Sequence, residues 1–168
     1  MTEAKRGRAN WFALAVAAWI GVVLFSSSSM AGRWCDRTFD TVYLHVVYRN
    51  VLGYRGWLRS FHPILHLLAE KSIHFGLFFI FATLFWKASE NTPRKAPLIL
   101  VSGLVLGALA EFLQRFAPGR DPAGRDIVID FVGAAMGVAS CIALGRLRSN
   151  QISASPASAG EITGRNAA

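Results

Sequence analysis

This chain of 168 residues is 53% hydrophobic, carries a formal net charge of +8 and contains only two cysteines. The length suits one domain. The basic residues gather between apolar blocks instead of along one soluble face, which argues against a nucleic-acid partner and for anionic lipid head groups.

Residues 1–10 are a polar tail with Lys5, Arg6 and Arg8. The apolar run that follows, read as a span over about 11–29, has the length a bilayer needs. No clear small-x-small cleavage site separates it from a soluble domain, so it reads as an uncleaved signal anchor. It ends in Ser26-Ser27-Ser28-Ser29. Serine hydroxyls bond back to helix carbonyls or satisfy a last turn, and no base lies near in sequence to make one a nucleophile.

Residues 31–62 form the longest interval between apolar blocks. Phe39, Val42, Tyr43, Val46 and Val47 recur at helical spacing there, among Trp34, Tyr48, Tyr54 and Trp57. Arg33, Arg37, Arg49, Arg55 and Arg59 are interleaved. Rings and arginines together favour the head-group layer, so the segment is expected to be an interfacial amphipathic helix.

The second span, about 64–86, opens behind Pro63, which is well placed in a first turn. Lys87, Pro93, Arg94 and Lys95 mark a short connection to the third span, about 97–116. Pro118-Gly119 ends that helix, and the fourth span runs over about 126–146. Gly103-x-x-x-Gly107 and Gly133-x-x-x-Gly137 let helices approach closely in lipid. From 147 to 168 the chain is rich in Ser, Ala, Gly and Asn and is expected to be disordered. The predicted fold is thus all-α: a four-helix integral membrane bundle over 11–146 with an interfacial amphipathic segment between helices one and two. Cys141 lies about 15 residues into helix four, roughly 22 Å from the end that Cys35 shares. A disulfide joins Cα atoms only about 4–7 Å apart, so no intrachain bond is expected.

With four spans both termini lie on one side. Nine Lys and Arg fall on that side and eight on the other, with Lys71 inside helix two. Charge in the short connection and the termini points to termini in the cytoplasm of a bacterium, the protein sitting in its cytoplasmic membrane.

Topology also forces the start of helix two, the end of helix three and the start of helix four to one side. Those ends hold the polar residues: Glu70, Lys71 and His74; Glu111 and Gln114; Asp126 and Asp130. Each set is spaced three or four apart, so each makes one polar stripe. Glu111 and Asp130 are both expected about 6–8 Å below the surface. Ionisable residues at that depth are expensive and point to function. His62, His66, Glu70 and His74 also fall at steps of four, but each step rises about 6 Å, so one metal can take only neighbours in the series. No metal and no cofactor is expected.

The elements Glu70-Lys71-Ser72-Ile73-His74-Phe75 and Glu111-x-x-Gln114-x-Phe116-x-Pro118-Gly119-Arg120, followed by Asp126, Asp130 and Gly133, resemble the VanZ-like family. Its pattern is an acidic-Lys-x-x-His-Phe motif and E-x-x-Q-x-F-x-P-x-R…D-x-x-x-N-x-x-G. The resemblance covers roughly residues 10–146. Position 70 is Glu where the family usually has Asp. Position 130 is Asp where it usually has Asn, an added negative charge that sets Asp130 apart from the carry-over. The resemblance implies a four-helix membrane protein, and the family's named member is associated with low-level resistance to teicoplanin-type lipoglycopeptides.

Three uses of the polar residues compete. As pure structure, Lys71 and Arg120 neutralise Glu111 and Asp126 while Gln114 and His74 complete hydrogen bonds. As a binding site, Lys71, His74 and Arg120 hold an anionic head group and Glu111 positions it, the arginine fork gripping phosphate. As an enzyme acting on a lipid phosphate, His74 or Glu111 is a general base and Lys71 or Arg120 steadies developing charge. No nucleophile is evident, so binding is the expectation. The partners expected are membrane lipids and a lipid-linked envelope molecule or lipoglycopeptide.

Overall fold

A computed structural model describes residues 3–42, 62–89, 92, 94–118 and 123–154. Over these the chain is all-helical, in five helices: α1 (Glu3–Ser26), α2 (Ser29–Val42), α3 (His62–Ala88), α4 (Lys95–Gln114) and α5 (Gly124–Ala154). Helices α3, α4 and α5 are each long and apolar enough to cross a membrane. Asn10–Ser26 and Ser29–Val42, bent by 77° at the serines, make a fourth when counted together as one broken span.

Side-chain distribution fits that setting. Trp11, Val101, Val105, Phe112, Val128 and Met136 are exposed, whereas Glu111, Gln114, Asp126 and Asp130 are buried. In water this inversion would be costly on both counts; in lipid the apolar exterior is the solvated one. At the end opposite the polar residues, the Lys95 ammonium sits 4.1 Å over the Trp86 ring, an arrangement suited to the interface.

Helix bounds differ from expectation where hydropathy changes but helix propensity does not. α1 begins at Glu3, inside the expected polar tail, because Ala, Lys and Arg are good helix formers. α5 continues to Ala154, so residues 147–154 are helical where disorder was expected. Residues 155–168 lie outside the described residues. The first span closes at Ser26 instead of residue 29, and the serines account for the corner. Ser26 Oγ donates to the Val23 carbonyl at 2.6 Å and Ser27 Oγ to the same oxygen at 3.3 Å. Ser28 then opens α2, its Oγ accepting the Ala31 N–H at 3.2 Å in the manner of an N-cap. Of the expected interfacial helix, residues 31–42 are helical and residues 43–61 lie outside the described residues.

The core is built from Phe78, Phe81 and Ala82 of α3, Ile99, Leu106 and Ala110 of α4, Ala134 and Val138 of α5, and Val23 of α1. α3 is the central element and packs most extensively on α5. The reason is glycine. A Cβ at Gly133 would run into the Phe75 carbonyl oxygen, and one at Gly137 would sit 2.7 Å from that of Phe79. The α5 backbone therefore lies directly against α3.

α1 is tied to α3 by the Trp19 indole, whose Nε1 donates to the Leu77 carbonyl at 2.8 Å. Trp19→Phe keeps the ring and removes the donor. It is expected to cost about 0.5–1.5 kcal/mol in mixed-micelle unfolding. Trp11→Phe, at an exposed ring on the same helix, is expected to change stability by less than about 0.5 kcal/mol.

Candidate functional site

Three helix ends converge as topology requires, and the α3–α5 contact decides which side chains meet. Lys71 of α3 donates to Asp126 of α5, Nζ to Oδ2, at 2.7 Å. The same ammonium reaches Glu70 Oε1 at 3.3 Å. One helical turn further along α3, His74 Nδ1 lies 3.2 Å from Asp130 Oδ1. The i, i+3 and i, i+4 steps of α3 and α5 thus run in register, pairing two cationic or donor groups with two carboxylates.

Glu111 also meets main chain. Its Oε2 accepts the backbone N–H of Ala123 at 2.9 Å, and the Ala123 carbonyl accepts the first backbone bond of α5 from Asp126 at 2.7 Å. A carboxylate at this point complements the positive end of the α5 dipole, as does Asp126 in the first turn. Glu111 therefore ties the end of α4 to the start of α5.

Burial within this group is nearly complete: Asp130 is 1% exposed, Asp126 2% and Glu111 6%. Even so, one oxygen of each, Glu111 Oε1, Asp126 Oδ1 and Asp130 Oδ2, has no hydrogen-bond partner among the described residues. Gly107 of α4 makes room here, since a Cβ there would come within 3.3 Å of Asp130 Oδ2.

Next to these residues a cavity of about 340 Å³ opens at the same end of the bundle. Glu70, Lys71 and Gln114 form its inner wall; Ser29, Arg33 and Asp36 of α2, His66 of α3 and Arg125 of α5 form its mouth. A second opening of about 240 Å³ lies between α4 and α5, lined by Glu111, Phe112 and Arg115. It gives Glu111 a route toward the apolar exterior.

Of the eight expected site residues, Glu70, Lys71, His74, Glu111, Gln114, Asp126 and Asp130 fall in this one region. Arg120 lies outside the described residues. The histidine stripe separates as its rise demands: His66 turns to α2, with Nε2 3.2 Å from Asp36 Oδ1 and its ring edge-on to Phe39 at 4.8 Å. The side chain of His62 lies outside the described residues.

Sequence reasoning missed Arg33, Asp36 and Arg125 as cavity residues. Arg33 and Arg125 were legible only as interfacial charge, because nothing local to α2 records that the serine corner folds it over the bundle end. Asp36 meets His66 across 30 residues, a pairing with no signature in either segment.

Set against known proteins, residues 12–145 match a family model described as VanZ/LLP1. Neither a curated protein nor a solved structure matches the chain.

Proposed function

The chain is a membrane protein that belongs to the VanZ/LLP1 family, and from that premise we propose that its polar site takes the anionic head group of a lipid-linked or lipid-like envelope molecule. The observation that carries this reading is the cavity, which Lys71, Arg33 and Arg125 all line. Guanidinium groups at the mouth suit phosphate, gripping it with paired hydrogen bonds. Gln114 and Ser29 add uncharged polar groups to the same wall.

In this reading the protein sits in the bacterial cytoplasmic membrane with termini in the cytoplasm and the cavity on the extracytoplasmic side. By holding such a molecule it contributes to resistance to teicoplanin-type lipoglycopeptides. Arg120, which follows Pro118-Gly119 in sequence, is assigned to the same head group from the sequence pattern alone.

Native mass spectrometry of the purified protein tests this. A retained anionic lipid is expected in the wild type. Arg33→Ala and Arg125→Ala alter exposed side chains, so folding is spared and each is expected to weaken retention about tenfold or more. Arg120→Ala is expected to do the same. A lipid held equally by all three variants, or a protein that retains none, would sink the proposal. Glu111→Gln separates holding from turnover: graded loss of lipid supports binding, whereas loss of product with lipid still bound supports an enzyme.

A further inference from the structure

The polar region holds more carboxyl groups than cations. Glu70, Glu111, Asp126 and Asp130 gather there; the one lysine, Lys71, pairs with Glu70 and Asp126, while Asp130 faces His74 and Glu111 faces the Ala123 N–H. The arginines that line the cavity stand at its mouth and are exposed. Taking uncompensated charge out of water is expensive, and pairing with a cation is the usual remedy.

Within this group three residues converge. Glu70, His74 and Asp126 each bring one ligand atom to within 4.8 Å of the others. Glu70 and His74 are four apart on one face of α3, and Asp126 comes from α5. A pair at i, i+4 completed by a residue of a second helix is a well-formed basis for a metal site. Bonds of about 2.0–2.2 Å place ligand atoms roughly 3–4 Å apart, so an ion would draw the three in by about an ångström.

Two further features point the same way. Asp126, almost wholly buried, has Oδ2 on Lys71 while Oδ1 is unpartnered among the described residues. His74 has Nδ1 against Asp130, which leaves Nε2 as the nitrogen able to coordinate. A carboxylate behind a ligating imidazole fixes its tautomer and ring orientation, an arrangement that recurs in metal sites. In this role the aspartate at position 130 supplies a charge that an asparagine would not.

We propose that Glu70, His74 and Asp126 bind a divalent transition-metal ion, with Asp130 positioning the imidazole from behind. Two carboxylate oxygens and one imidazole suit Zn²⁺ or Mn²⁺. The Lys71 ammonium, 3.3 Å from Glu70 and 2.7 Å from Asp126, competes with an ion for these carboxylates and turns into the cavity it already lines when the ion binds. The site does not depend on the head-group reading, since the ligands are all protein groups and the ion can be measured alone.

The test uses the full chain purified in detergent without a polyhistidine tag. Metal content is measured directly, and stripped protein is then titrated with Zn²⁺ or Mn²⁺ alone. About one equivalent per chain is expected. Asp130→Asn is expected to weaken affinity about 10–100-fold, and His74→Ala and Asp126→Asn to weaken it more. Lys71→Met removes the competing ammonium and is expected to strengthen binding, the opposite of its effect on an anionic ligand. Cys141→Ala, at a thiol beside Trp86 and Lys87 at the opposite end of the bundle, is expected to leave affinity unchanged.

Failure of the wild type to take up either ion would overturn the proposal. So would uptake that survives both His74→Ala and Asp126→Asn, or that is lost in Cys141→Ala. Should the ligand variants fail to fold, Asp130→Asn stands in their place: binding weakened about 10–100-fold supports the site, and unchanged binding refutes it.

Discussion

Gly133→Val is expected to separate α5 from α3 and to dismantle the polar site without touching a polar residue. Even a single added carbon at Gly133 meets the Phe75 carbonyl oxygen inside contact distance. That oxygen is main chain in the middle of a helix and cannot swing away as a side-chain end would. Valine adds two further methyl groups in the same space. Overpacking of this kind costs about 1–3 kcal/mol, and more where backbone must move. The loss is expected to propagate because Phe75 follows His74, so shifting α5 outward also breaks the contact of His74 with Asp130. Unfolding in mixed micelles, or thermal denaturation in detergent, measures the effect. Gly145→Val is the control: on the same helix, a Cβ at Gly145 meets nothing within 4 Å. Equal stability of the two variants would show that α5 does not lie against α3 as described.

The second large effect is expected at Lys71. Lys71→Met preserves much of the side-chain length while leaving Asp126, 2% exposed, without its cation. Breaking a buried pair from one side costs about 3–5 kcal/mol, because the remaining charge is stranded. Asp126→Asn combined with Lys71→Met is expected to recover a large part of that loss, since neither partner is then left as an isolated charge. The double-mutant cycle isolates the coupling between them. A chelator is kept in the measurement, so that no bound cation substitutes for the ammonium. If Lys71→Met proved as stable as the wild type, or the cycle gave no coupling, the 2.7 Å pair would not be holding α3 to α5. Glu70 is a weaker partner at 3.3 Å and partly exposed, so Glu70→Gln is expected to cost far less.

Both effects hang on the contact of α3 with α5, whereas the polar residues of each helix were legible from spacing alone. Glu111 with Gln114, and Asp126 with Asp130, stand three and four apart, which puts each pair on one face of any helix that contains them. The apolar blocks were legible because a hydrocarbon solvent demands long uninterrupted helices. Helix ends were less so. The polar residues before Trp11 and after Gly145 changed the hydropathy without breaking the helix, so α1 and α5 overrun it. The serines were legible as a terminus but not as a corner, because Ser28 caps a helix whose direction depends on what it covers.

By itself, the sequence determined that this is a helical membrane protein and that the polar ends of three helices share one side. Both follow from periodicity and from the number of crossings, which are properties of the chain in order. Only the tertiary structure decided that Lys71 meets Asp126, that His74 meets Asp130 and that Glu111 holds the Ala123 N–H. The two side-chain pairs are 55 and 56 residues apart. Which carboxylate an ammonium reaches depends on the rotation and closeness of two packed helices, set here by glycines pressed against the Phe75 and Phe79 carbonyls. Spacing along a helix places a charge on a face; the neighbouring helix chooses its partner.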